Sequence, residues 1–256
     1  MHKKRNAIMA ALAVVLVAAL TIGGTLAYMT DSQSLTNTFR VGDLDITFKE
    51  PNYPDGECND RVPGDSFPKD PTVKAVKGDA YLRVKVEFVD AATGAPISGE
   101  RLDLIQQTIY YDPNFSATVV EGGYKGSSNL RVWAGTLNTH TPNANFHYTQ
   151  AQLAGKVGSG VIQNWFNSTN FDAPAQVVSP GVFYLNYKGI FVQGAEVQLF
   201  TSIVFPSDWN QIQLQKIGNY AIKMTAEVIQ AAGFADRAEA FTALNAETIL
   251  VNYGAT

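Results

Sequence analysis

The chain of 256 residues contains one cysteine, Cys58, and three histidines, His2, His140 and His147. A single thiol excludes an intramolecular disulfide, so stability must come from burial. Cys58 sits in the acidic, turn-rich stretch Asp55-Gly56-Glu57-Cys58-Asn59-Asp60, where it is either a free thiol or half of an intermolecular bridge. Charged residues make up only 16% of the chain, and no basic run follows the first few residues. Phosphate binding needs a clustered Lys/Arg surface, so no nucleic-acid partner is expected. The chain also lacks an HExxH motif, a second long apolar run, and any repeat with a period of 20 to 50 residues.

The one long apolar run lies at the N-terminus. His2, Lys3, Lys4 and Arg5 lead into Ala7 to Ile22, followed by Gly23, Gly24, Thr25, Leu26 and Ala27. Small residues at Thr25 and Ala27 fit cleavage between Ala27 and Tyr28, making residues 1–27 a signal peptide. The alternative is an uncleaved anchor, since Ala7 to Leu26 is about the 20 residues a bilayer span needs. Gly23 and Gly24 favour cleavage, because they weaken a helix where a peptidase needs extended chain. Cleavage removes three of 19 basic residues and no acid, leaving 16 against 23 and a net charge of -7. The expected location is therefore outside the cell, with membrane contact only through the uncleaved signal peptide.

Strand signals dominate what remains. Between Thr38 and Lys49 the apolar alternation changes phase at Gly42-Asp43, which predicts a bulge or tight bend. We read residues 28–49 as an N-terminal segment ending in a first strand. Pro51, Pro54, Pro63, Pro68 and Pro71 predict a loop over 50–72. Leu82, Val84, Val86 and Phe88 alternate with Arg83, Lys85 and Glu87, predicting a strand with one core face and one wet face. Leu102, Ile105 and Ile109 fall on one helical stripe after Ser98, a candidate N-cap, so one short helix is expected over 98–110. Further strands are predicted at Ala117–Val120, Leu130–Ala134, Val182–Phe191, Val197–Phe205 and Tyr220–Val228. Residues 138–180 read as a long insertion, with a short helical turn at Gln163–Phe166, and Phe234–Leu244 is helix-like. Many short strands, 21 glycines and 11 prolines favour an all-β fold, an antiparallel β-sandwich of jelly-roll type with a few short helices, over residues 50–256.

Three stretches resemble one family. The first is Gly24-Thr25-Leu26-Ala27-Tyr28-Met29-Thr30-Asp31-Ser32 with Asn37-Thr38-Phe39 and Val41-Gly42-Asp43-Leu44-Asp45-Ile46. The second is Pro63-Gly64-Asp65 and Lys69-Asp70-Pro71-Thr72-Val73, leading to Asp79-Ala80-Tyr81-Leu82-Arg83-Val84-Lys85-Val86. The third is Glu227-Val228-Ile229-Gln230-Ala231-Ala232-Gly233-Phe234. Together they resemble the TasA/camelysin family of bacterial biofilm matrix proteins with SipW-dependent signal peptides. The resemblance implies a secreted jelly roll that self-associates into fibres, a signal peptidase of SipW type as processing partner, and other matrix proteins as neighbours. It also implies donation of the mature N-terminal segment to the next subunit, which is β-augmentation. Tyr28 to Thr38 is then the donor, with Tyr28, Met29, Leu35 and Phe39 as anchors; the competing reading makes it a loose leader or a strand of its own sheet.

Camelysin relatives are described as metalloproteases, which sets a second expectation. His140 and His147 are seven residues apart with no carboxylate between them, a weak zinc pair that we read as solvated loop histidines. Asp55, Glu57 and Asp60, with Asp65 nearby, offer oxygens for Ca²⁺ without EF-hand spacing, and we read them as a charged turn. No catalytic residue and no cofactor is expected, with calcium and zinc left open. Trp133, Trp165 and Trp209 offer a third reading, sugar stacking in a carbohydrate-binding matrix module, against ordinary core packing.

Overall fold

A computed structural model describes residues 44–51, 62–120, 123–127, 130, 147–176 and 179–253. The cleavage site, the donor segment, the Gly42-Asp43 phase break, the stretch around Cys58, Trp133 and His140 lie outside the described residues. The described chain begins with strands β1 (Asp45–Lys49), β2 (Ser66–Pro68), β3 (Thr72–Lys77) and β4 (Ala80–Asp90), then helix α1 (Gly99–Gln106). Strands β5 (Ile109–Tyr111), β6 (Ser116–Val120) and β7 (Gly123–Ser127) come before helix α2 (Gln150–Gly158). Next are β8 (Gln163–Asn164), β9 (Ala175–Gln176), β10 (Val182–Asn186), β11 (Glu196–Gln198) and β12 (Ser202–Val204). Helix α3 (Gln211–Ile217), strand β13 (Tyr220–Gln230) and helix α4 (Arg237–Tyr253) follow.

All strand pairings among the described residues are antiparallel. The sheet orders are β13-β4-β10-β9, β2-β12-β5-β8 and β1-β3-β11, with β6-β7 as a separate hairpin. One apolar cluster joins the first three sheets: Leu82, Val84, Val86 and Phe88 of β4 meet Ile46 and Phe48 of β1, Val73 of β3 and Ile203 of β12. This is the all-β sandwich that the alternation in β4 and β13 predicted. Each of the four buried β4 side chains contributes about 1.5–3 kcal/mol by leaving water, the main reason that strand holds its register.

Several local expectations are corrected. The 98–110 helix stops at Gln106, and Ile109 belongs to β5 instead; Ser98 occupies the N-cap but its side chain makes no capping bond. Residues 66–68 are strand rather than loop, an edge strand in which Pro68 needs no ladder donor on its outer side. The apolar run 197–205 is two strands in two sheets. The chain crosses between them at Leu199–Thr201, where Leu199 N donates to Pro71 O and Thr201 N to Tyr110 O, both at 2.9 Å. Gln163–Asn164 is strand, not helical turn, and the left-handed backbone at Trp165 (φ 28°) swings its indole into an aromatic group with Phe88, Phe166 and Phe183. Within the stretch read as an insertion, Leu153, Ile162, Trp165 and Phe171 are buried and β8 and β9 join the two four-stranded sheets.

Candidate functional site

The N-terminal segment enters the fold through β1, an edge strand of its sheet among the described residues. Five residue pairs zip β1 onto β3, from Asp45 opposite Lys77 to Lys49 opposite Thr72, with a register irregularity between Asp45 and Ile46. Ile46 and Phe48 point into the core. Directly after the strand, Glu50 forms a buried ion pair with Lys69, whose Nζ lies 3.1 Å from both carboxylate oxygens. Both side chains are 6% exposed or less, so neither charge has water to fall back on. The Thr72 hydroxyl donates to Asp70 O at 2.7 Å and shapes the approach to β3. These contacts root β1 and the approach to β3 in the sheet.

The Pro63-Gly64-Asp65 motif builds a turn beside that root. Val62 N donates to the Asp65 carboxylate at 3.0 Å, Asp65 N to Val62 O at 3.1 Å, and Gly64 N to Phe205 O at 2.9 Å. Gly64 has φ +95°, a conformation that side chains disfavour, and a Cβ there would sit 2.8 Å from His147 Nδ1. His147 is thus the partly exposed cover of a glycine turn. Asp65, the described member of the acidic group, spends its carboxylate on the same turn.

The two remaining motifs meet each other. β4 and β13 pair over eleven residues, placing Arg83 opposite Glu227 and Ala80 opposite Gln230. Arg83 Nε donates to Glu227 Oε2 at 2.5 Å, while its guanidinium stacks over Tyr184 of β10 (4.4 Å) and Phe241 of α4 (5.2 Å). The face expected to be wet is therefore covered at Arg83, which is 5% exposed. Ala240, Phe241 and Leu244 of α4 pack there with Ile229, and Arg237 ties the start of the helix to Tyr187 O at 2.6 Å and to the Asp172 carboxylate at 2.5 Å. Burial, then the nearby Glu227 charge, raise the Tyr184 phenol above its ordinary pKa.

Of the residues singled out from sequence, the structure places His147, Asp65, Trp165 and Trp209. Trp165 and Trp209 are each 8% exposed and sit in the main core, so they form no sugar-stacking platform. Among the described residues no three His, Cys, Asp or Glu side chains group to hold a metal, and His147 faces a glycine rather than carboxylates. The described donors therefore do not fit a catalytic zinc site. Lys69 and Glu50 were missed as a pair: Lys69 appeared only as a motif residue, and nineteen residues separate it from Glu50.

The described chain is thus an antiparallel β-sandwich whose N-terminal segment is rooted in an edge strand. Residues 2–78, from the basic cap to the end of β3, match the family described as Camelysin metallo-endopeptidase. Over that stretch, which is less than a third of the sequence, the chain is similar to that family, in line with the resemblance of its N-terminal motifs. A search among curated proteins finds none that matches the chain.

Proposed function

We propose that this is a secreted structural protein of the extracellular biofilm matrix, which assembles into fibres or a surface layer by donating its N-terminal segment to a second copy. The observation that carries this reading is the edge strand β1, fixed by the Glu50–Lys69 pair immediately downstream of the candidate donor. An edge strand gives up no second ladder when the chain before it pairs elsewhere, and a buried ion pair at its far end resists the pull. Cleavage after Ala27 by a SipW-type peptidase frees Tyr28, Met29, Leu35 and Phe39 as anchors. The partner is the same chain in a homopolymer, with other matrix proteins alongside. The test compares proteins beginning at Tyr28 and at Asp43 by electron microscopy and light scattering. Fibres from the first alone support donation, and identical fibres from both refute it.

The description of the matched family favours a second reading, a secreted metallopeptidase. Stoichiometric zinc in the mature protein, with proteolysis abolished by His140→Ala or His147→Ala, would establish it against the structural role.

A further inference from the structure

Helix α4 lies on the outer face of β4 and β13, yet its packing is separate from the main core. Ala240, Phe241 and Leu244 close on Ile229, with Tyr81, Phe234 and Ala243 partly buried around them. None of these side chains belongs to the cluster that joins the three sheets. One ion pair supplements them, from Arg237 to Asp172, with side chains 31% and 40% exposed, beside the Arg237 bond to Tyr187 O. The helix carries its own cap. Asp236 Oδ1 accepts from Glu239 N at 2.9 Å and Glu239 Oε2 accepts from Ala235 N at 2.8 Å, so two donors at its start are satisfied within the segment itself. Upstream, Ala231 N holds the end of β13 to Asp79 O at 3.0 Å. Gly233 follows at φ +102°, with nothing within 4 Å of where a Cβ would stand. A glycine in open space between a fixed strand end and a self-capped helix has the backbone freedom that a hinge needs.

The face under α4 is built to stand uncovered. When the helix leaves, Arg83 loses its stacking on Phe241 but keeps Glu227 at 2.5 Å and Tyr184 at 4.4 Å, both supplied by strands. The Glu227 side chain is already 21% exposed, so the movement leaves no buried charge without its partner. We propose that α4 is a strap, which lifts from the sandwich as one unit about Gly233 and uncovers Tyr81, Arg83 and Ile229, with Tyr184 beside them, while the sheets stay closed. In the closed form the occupant of that face is this chain's own helix. An element held by a small apolar cluster of its own opens at lower cost than the whole domain unfolds, and such elements are the ones that proteins move. Tyrosine and arginine are the side chains that most often dominate binding surfaces, and here the strap withholds them in part from solvent. Every group involved lies between Asp79 and Leu244, so the strap operates whether or not the N-terminal segment is donated.

Hydrogen exchange on the full chain, read by mass spectrometry, tests the strap. Amides of residues 238–244 are expected to exchange together, at least about tenfold faster than the slowest amides of β4 and β13, in urea well below the unfolding midpoint. Arg237→Gln, which removes the ion pair to Asp172, should speed exchange of 238–244 by about threefold more and leave the two strands unchanged. A second readout follows the covered face: in a Cys58→Ser background, an Ile229→Cys thiol should react with dithionitrobenzoate at a rate that Arg237→Gln raises by the same factor. Should Ile229→Cys fail to fold, Ala240→Cys on the helix side supplies the measurement. Exchange of 238–244 only together with β4 and β13, at one rate and with one urea dependence, makes α4 part of the same cooperative unit and overturns the proposal. It is equally overturned if Arg237→Gln speeds the strands as much as the helix, or leaves the thiol rate unchanged. Exchange that rises residue by residue along the helix without reaching Phe241 is fraying, and that result overturns it too.

Discussion

Gly64→Ala perturbs the turn next to the root in a way that can be resolved into parts. A non-glycine residue held in a sparsely populated backbone region costs about 1–3 kcal/mol. The new methyl would also lie 2.8 Å from His147 Nδ1, too close for contact, so the imidazole must leave its position. Because His147 is partly exposed it has room to turn, and an off-rotamer side chain costs about 0.5–1.5 kcal/mol. The expected loss is about 2–4 kcal/mol, or on the order of 5–15 °C in Tm for a domain of this size. Gly94 is the control: it also has positive φ (+71°), but a Cβ there meets nothing within 4 Å. Gly94→Ala should therefore show the backbone cost alone. Urea unfolding with a common slope measures each variant, and His147→Ala in the Gly64→Ala background should restore about 1 kcal/mol and no more. If Gly64→Ala is no worse than Gly94→Ala, or if removing His147 restores nothing, the contact is not the source of strain and the reasoning is wrong.

Lys69→Ala leaves Glu50 charged and buried and should cost about 3–5 kcal/mol in urea unfolding, whereas replacing both partners together by apolar residues should cost much less. Glu227→Ala removes a charge-assisted bond from Arg83, worth about 1.5–3 kcal/mol; hydrogen exchange should rise in α4, because Phe241 stacks on the same guanidinium. The Asp90 carboxyl is held at about 2, below its ordinary 3.8, by the Arg101 hydrogen bond first and then by Thr93. The folded state thus binds this proton more weakly than the unfolded chain. The contribution is complete above about pH 4 and disappears as the pH falls through 2, so Asp90→Asn should flatten the acid slope of stability between those values. An unchanged slope would show that Asp90 is not responsible.

The strands legible in the sequence were those with one buried face and a long alternation. β4 and β13 were found because Leu82 to Phe88 and Tyr220 to Val228 keep period two over many residues. β2 escaped because three residues, all buried, carry no alternation. The run 197–205 hid its break, since Leu199 and Phe200 at the crossing are as buried as the strands on either side. Helices α2 and α3 were missed for a different reason. α2 buries Leu153 alone and so has no apolar stripe, yet both helices open with a capping box, Thr149 with Gln152 and Asn210 with Gln213. That spacing of three was present in the sequence and would have marked both starts. Of the candidate site, the turn glycine and the paired motifs were visible as words, but the ion pair beneath β1 was not. A contact across nineteen residues leaves no periodic trace.

The β4–β13 pairing also fixes an order of events. Arg83 and Glu227 are 144 residues apart, so the longest ladder among the described residues cannot close until β13 has been synthesised. β1 and β3 have no such wait, because their partners lie within some thirty residues of each other. Pairing across so large a separation is slow, and an apolar strand waiting with a bare edge is open to wrong partners. Arg83, Lys85 and Glu87 interrupt β4 at every second position, the kind of charge placement that disfavours wrong strand pairing. The charges that later sit under α4 and beside β10 first serve a chain that is still incomplete.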